Sequence, residues 1–269
     1  MEREVRPAKP KTRLSSVANA IRLIKVFSDE DYEIGISDLG KRLLLPKSTV
    51  HRLASTLIDG GMLEQNPDNG KYRLGLVVFE LGSLVRRKMD FSSEAKPFLM
   101  ELREKTGESV HLAILDSASI VYINSLESKQ AIRMSLDVGM RKPAWTTAAG
   151  KVMLAFQSVD SLNRLLSSGL QERTANTIVD PEAFRLELAT IRNRGYAIAD
   201  EENEIGVRSL AAPVRDHFGS VIAATSIAGP AQRLTRKVLT GFAPDVVTAA
   251  DAISGRLGYQ SRRALRMDR

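Results

Sequence analysis

The chain has 269 residues, 43% of them hydrophobic and 26% charged, and a formal net charge of +7. That length is enough for two domains with cores of their own, and the positive balance favours an anionic partner such as nucleic acid. There is no cysteine, which excludes a disulfide framework and thiolate metal sites and suits a reducing cytoplasm. No apolar run reaches the roughly 18 residues of a membrane span. The opening MEREVRPAKPKTR has charges and prolines where a signal peptide needs an apolar core.

Residues 1–13 carry five Lys/Arg against two Glu and read as a basic flexible arm. Helical spacing follows: Val17, Ala20, Ile21, Ile24 and Phe27, with Ser15 or Ser16 as N-cap. A second short helix, ISDLGKRLLL, takes Ser37 as N-cap and turns Leu39, Leu43 and Leu44 inward. A third begins in LPKSTVHRL, with Pro46 suited to its first position. Its apolar stripe is Val50, Leu53, Ala54, Leu57 and Ile58, and Gly60-Gly61 stops it. Two β-prone segments flanking NPDNG then predict a hairpin. Three short helices and a hairpin are the layout of a winged helix-turn-helix, expected over residues 14–75. A linker helix is expected over 76–90.

With its stripe buried, the third helix presents Ser48, Arg52, Ser55 and Thr56 outward, flanked by Thr49 and His51. Lys47, Ser48 and Thr49 occupy a first turn whose free N–H groups attract phosphate. Arg52 suits the acceptors of a guanine edge in the major groove. Lys71, Tyr72 and Arg73 of the hairpin are the remaining candidate DNA contacts.

The remainder alternates between helices and strands and predicts an α+β domain over residues 91–258 with a mostly antiparallel sheet. A helix is expected over 94–105, ending at Gly107. Strands are expected at 110–115 and 119–126. The segment TTAAGKVMLAF becomes helical, and another helix runs from Pro181 to Asn193. Strands at YAIAD, SLAAPVRD and SVIAATSIAG precede a last helix over 245–257. Residues 259–269 form a basic tail.

At this point the sequence resembles the IclR-type bacterial transcriptional regulators. The matching segments in the first half are SVANAIRLIKVF, ISDLGKRLLLPKSTVHRLASTLIDGGML and NGKYRLG. In the second half they are KTGESVHLAILD, IRMSLDVGMRKPAWTTAAGKVMLA, RNRGYAIADEENEIGVRSLAAPV and ATSIAGP. They run in order over residues 14 to 258. The resemblance implies a winged helix, a linker helix used in dimerisation, and a GAF- or PAS-like domain that binds a small-molecule effector. It also implies operator DNA as partner, a homodimer or dimer of dimers, and no cofactor. Carried over by position, the effector residues are Ala131, Met134, Lys142, Ala148, Ala149, Asp200, Val207 and Ser209. The chain departs from the pattern where members carry two acids, having Ala199 and Asp200, and in placing Lys142 where an apolar residue is common. From the residues themselves, the small side chains of TTAAGK leave backbone N–H groups open to a carboxylate. Lys142 or Arg141 adds a cation, and Trp145, the single tryptophan, either lines an apolar wall or packs in the core.

An enzyme of small-molecule metabolism with a DNA-binding appendage is the competing class. AWTTAAGKV departs from a phosphate loop at Trp145 and Val152. His51, His111 and His217 are not spaced as metal ligands, and His111 reads as a half-buried strand residue. Asp200, Glu201 and Glu202 read in part as hairpin surface and not as a paired-carboxylate site. A purely architectural DNA binder would not need the second domain.

Overall fold

A computed structural model describes residues 15–28, 30–88 and 91–259. The expected basic arm over 1–13, the end of the linker helix at 89–90 and nearly all of the basic tail lie outside the described residues. The chain divides into two compact units, residues 1–89 and 90–269.

The first unit is a winged helix-turn-helix. Helices α1 (Ser15–Ile24), α2 (Ile36–Leu43) and α3 (Lys47–Asp59) precede strands β1 (Leu63–Gln65) and β2 (Tyr72–Leu74). The strands pair antiparallel, Glu64 opposite Arg73. Leu23, Leu39, Leu43, Val50, Ala54 and Leu63 form the core, each fully buried aliphatic side chain contributing about 1.5–3 kcal/mol. Helix α4 (Leu76–Lys88) follows. Gly75 joins it to the wing, and a Cβ there would lie 2.2 Å from the Gly61 carbonyl oxygen, so only glycine lets the two turns close.

Several local expectations change. Gly35, not Ser37, caps α2, and Pro46 is the N-cap of α3, with Lys47 first in the helix. Leu44 leaves α2 in the left-handed conformation, φ 56°, and is exposed. Its N–H and that of Leu45 return to Lys41 and Gly40 carbonyls, which makes the sharp turn between α2 and α3. On α1 the buried anchor is Leu23, while Val17 and Ile21 are exposed. The periodicity located the helix but not the face that meets α2 and α3.

The second unit is a six-stranded antiparallel sheet in the order β5-β4-β3-β8-β7-β6. Its strands are β3 (Ser109–Asp116), β4 (Ser119–Leu126), β5 (Arg141–Pro143), β6 (Ala197–Asp200), β7 (Val207–Arg215) and β8 (Val221–Pro230). Alternation gives the sheet two apolar faces. Leu210, Ala212, Val214, Ala223 and Ile227 pack with α5 (Phe91–Thr106) and α9 (Arg236–Arg256). Ala113, Ile120, Ala211 and Ala224 pack with α6 (Ala148–Leu154), α7 (Val159–Ser167) and α8 (Pro181–Arg194). This is the α+β architecture expected.

Helix α7 was not expected. Ser158 caps it, accepting from the Ser161 N–H, and Leu162, Leu165 and Leu166 are its buried stripe. Helix α9 starts at Arg236 and not at Asp245: Thr235 caps it, and the burial of Leu239 and Ala243 carries it through Pro244. Met134 lies in an irregular stretch between β4 and β5, with its carbonyl accepting from Ser109 Oγ at 2.6 Å.

Candidate DNA-reading face and ligand hollow

Burial of Val50 and Ala54 turns the opposite side of α3 outward. Lys47, Ser48, His51, Arg52, Ser55 and Thr56 are exposed, and Thr49 is half-buried beside them. Arg52 sits at the middle of this face and forms no ion pair among the described residues. Thr56 is partly occupied, donating to the Arg52 carbonyl at 3.1 Å.

The wing corrects two assignments. Tyr72 is only 3% exposed and belongs to the core, because a period of two along β2 turns it inward between Lys71 and Arg73. Arg73 is engaged by Glu64, its cross-strand neighbour at 3.1 Å, and by Glu33 at 3.3 Å. Lys71 is the exposed cation that remains. Glu33, which no motif marks in the sequence, pins the wing turn. Its carboxylate accepts from Asn69 Nδ2 at 2.8 Å and Asn66 Nδ2 at 2.9 Å. Those hydrogen bonds, from Asn69 and then Asn66, hold it below the usual carboxylate range.

In the second unit a small hollow, open at its mouth and with about 40 Å³ of space inside, lies over the α6 side of the sheet. Five of the expected residues line it: Met134, Lys142, Ala149, Val207 and Ser209. Four do not. Ala131 is exposed. Ala148 is fully buried in the core under α6, one helical step round from Ala149. Trp145 packs beside that core and donates its Nε1–H to the Gln171 carbonyl at 3.0 Å. Asp200 is held by Arg208 and by Arg236, whose Nε lies 2.5 Å away. Burial pushes its carboxyl up, but these hydrogen bonds outweigh that and leave it lowered.

The short 3-10 turn Ala144–Thr146 and helix α6 form one wall. Thr147 caps α6, its Oγ1 accepting from the Gly150 N–H at 3.1 Å. A Cβ on Gly150 would lie 2.1 Å from the Ala144 carbonyl oxygen, so the fold of this wall requires glycine. Thr146 Oγ1 meets Asn203 Oδ1 at 3.0 Å and ties the wall to the β6–β7 loop.

That loop brings in the residue the sequence reading placed near the surface. Glu202 lines the hollow and is 6% exposed. Its Oε1 accepts from Lys151 Nζ at 2.6 Å and from the Asp200 N–H at 3.3 Å. Lys151 is 1% exposed, with Glu187 Oε1 a further 3.4 Å neighbour. Burial pushes the Glu202 carboxyl up, and Lys151 opposes this. The loop backbone is fixed from behind: Thr174 and Thr177 hydroxyls donate to the Glu201 and Glu202 carbonyls, each at 2.7 Å. Opposite, His111 of β3 is fully buried and not half-buried, and burial lowers its imidazole to about 4. Its ring centroid lies 5.3 Å from that of Tyr122. Two buried polar atoms on this lining have no hydrogen-bond partner, His111 Nε2 and Glu202 Oε2. Nothing in the sequence marks either: a histidine on an apolar strand and a glutamate in an acidic loop read as packing and surface.

The chain matches two family models in order. Residues 16–67 match the IclR helix-turn-helix domain, and residues 84–255 match the bacterial transcriptional regulator IclR C-terminal domain. The chain belongs to the IclR family of bacterial transcriptional regulators. Among the relatives of this IclR-family chain, the HTH-type transcriptional regulator XynR of Escherichia coli is 40% identical over 248 residues, covering 91% of this chain and 98% of its own. The Thermotoga maritima IclR structure superposes with a TM-score of 0.74 at 31% identity, over 92% of this chain and 100% of that one. An IclR homologue from Microbacterium hydrocarbonoxydans, solved in complex with 4-hydroxybenzoate, has a TM-score of 0.78 at 29% identity, over 90% and 98% of the two chains. As an IclR-family member the chain is a DNA-binding regulator. At the position pair where members of the family carry two acids, Ala199 lines the hollow and Asp200 is ion-paired beside it, and the carboxylates on the lining are the buried Glu202 and the exposed Glu204.

Proposed function

We propose that this chain is a homodimeric regulator, or a dimer of dimers, acting in the cytoplasm. It reads operator DNA with α3 and the wing tip, and its response is set by a small organic acid held in the hollow of the second unit. The observation that carries the ligand reading is the lining itself. A cation, Lys142, and the hydroxyl-bearing Ser209, Ser226 and Thr147 converge on this hollow, whose apolar walls come from Leu136, Ala149 and Val207. A small site of this kind, apolar with a few placed polar groups, orients a ligand of one charge and few atoms. A carboxylate satisfies Lys142 and two or more hydroxyl donors at once.

On the DNA side, the free face of α3 supplies Lys47, Ser48 and Thr49 to phosphate and Arg52 to a base edge, with His51, Ser55 and Thr56 around it and Lys71 on the neighbouring backbone. Dimerisation is supported by α4, whose Leu76, Phe79, Leu81 and Leu84 are exposed. Exposed apolar side chains of that number on one helix are suited to burial against a second copy. Ligand binding then shifts the population of dimer arrangements that fit two half-sites. The test is a thermal-shift screen of the purified chain against small carboxylic acids, followed by operator-binding titrations with each acid that raises the melting temperature. Absence of any stabilising acid, or stabilisation with unchanged DNA binding, contradicts this reading.

A further inference from the structure

We propose that Glu202 is the specificity-determining residue of the hollow: through its free Oε2 it selects an acid that carries a hydroxyl group over the matching oxo acid. This rests on the ligand reading above and adds to it the second functional group of the ligand.

Glu202 is held by one oxygen only. Oε1 faces Lys151 Nζ and the Asp200 N–H, while Oε2 is buried, without a partner, on the hollow's lining. A buried polar atom left unmatched is costly, so such atoms in a binding cavity mark where the ligand's complementary group belongs. Lys151 Nζ lies 2.6 Å from Glu202 Oε1 and 3.4 Å from Glu187 Oε1, and an ammonium at that distance favours the ionised form of Glu202 against the upward push of burial. An ionised carboxylate oxygen only accepts. The group facing it must therefore donate. A hydroxyl does so, and its own oxygen still accepts from a neighbouring N–H or O–H. His111, whose buried Nε2 also has no partner, shares the same lining, and a neutral imidazole nitrogen exchanges either kind of hydrogen bond with a hydroxyl. An oxo oxygen only accepts. Against Oε2 it would place lone pairs against lone pairs and leave Glu202 unmatched. Sites built to bond a hydroxyl reject the analogue that lacks it far more strongly than apolar pockets reject a methylene. The ligand's own carboxylate belongs at the Lys142 side, since two carboxylates repel.

The position of Glu202 is set independently of any ligand. The Thr174 and Thr177 hydroxyls fix the loop carbonyls, and Glu201 adopts φ 59°, uncommon for a residue with a side chain. The loop that carries the carboxylate is thus held in place before a ligand arrives.

The experiment uses the full-length protein and matched pairs of acids: lactate with pyruvate, glycerate with hydroxypyruvate, gluconate with 2-oxogluconate. Affinities are measured by calorimetric titration. In each pair that binds, the hydroxy acid is expected to bind at least tenfold more tightly, and Glu202→Gln should reduce that ratio to near one, since an amide also donates. Oxo acids that bind the wild type as well as their hydroxy twins overturn the proposal while leaving the acid-binding hollow standing. A Glu202→Gln protein that melts as the wild type does and keeps the full preference also overturns it. If the variant fails to fold, the wild-type ratio alone decides. If no acid of either series binds, the ligand reading itself falls.

Discussion

Lowering the pH from 7 to 5 should destabilise the second unit specifically through His111. In the folded protein, burial lowers this imidazole from 6.5 to about 4. The unfolded chain exposes it and restores the ordinary value. Between these two values the unfolded state binds more protons than the folded one, so stability falls as pH drops through 6.5 and the loss levels off below 4. At pH 5 an exposed histidine is almost fully protonated while His111 remains almost fully neutral. At 1.36 kcal/mol per pH unit of difference, the loss between pH 7 and 5 is about 2 kcal/mol. The assay is urea unfolding followed by the fluorescence of Trp145, which lies in the same unit and is the only tryptophan. His111→Gln cannot titrate, so the variant should lose about 2 kcal/mol less than the wild type over the same pH interval. Any constant cost of the substitution, and every carboxylate common to both proteins, cancels in this double difference. Parallel losses in the two proteins would refute the argument that His111 is buried in its neutral form.

Arg52→Ala should weaken specific operator binding by about 1–3 kcal/mol and relax the preference at one base pair; an unchanged specific-to-random ratio would remove Arg52 from the groove. Lys71→Ala should instead weaken all duplexes nearly alike and reduce the slope of affinity against log salt by about one, which filter-binding or anisotropy titrations across salt concentrations measure. Ala148→Leu should cost about 1–3 kcal/mol, because Ala148 sits in packed core and not on the hollow; a melting temperature equal to that of the wild type would reveal slack there. Gly150→Ala should be worse than that, since its new methyl meets the Ala144 carbonyl, and thermal unfolding of the two variants side by side gives the order.

Much of the molecule was legible before folding. The order of helices and strands, the wing hairpin and the antiparallel sheet follow from periods of 3.6 and 2, from NPDNG and from capping residues, all of which are local signals. The outward face of α3 was legible for the same reason, since the stripe from Val50 to Ile58 leaves only one side for Arg52. Helix α7 escaped because its leucine stripe is short, and the start of α9 because Pro244 usually marks a boundary, whereas the burial of Leu239 and Ala243 overrides it. The exposure of Val17 depends on which neighbour α1 meets, which no local period specifies. The hollow shows this most clearly. Ala148 and Ala149 are adjacent and alike in sequence, yet one is core and the other lining. His111 and Glu202 lie far apart in the sequence, and the sheet order sets β3 beside β8 and β8 beside β7, carrying the β6–β7 loop over the same face. A glutamate reads as surface in any sequence because burying its charge is costly. It lies inside here because Lys151, equally unlikely to be buried, is brought 2.6 Å from it by the packing of α6 under that loop, and only the tertiary structure pairs the two.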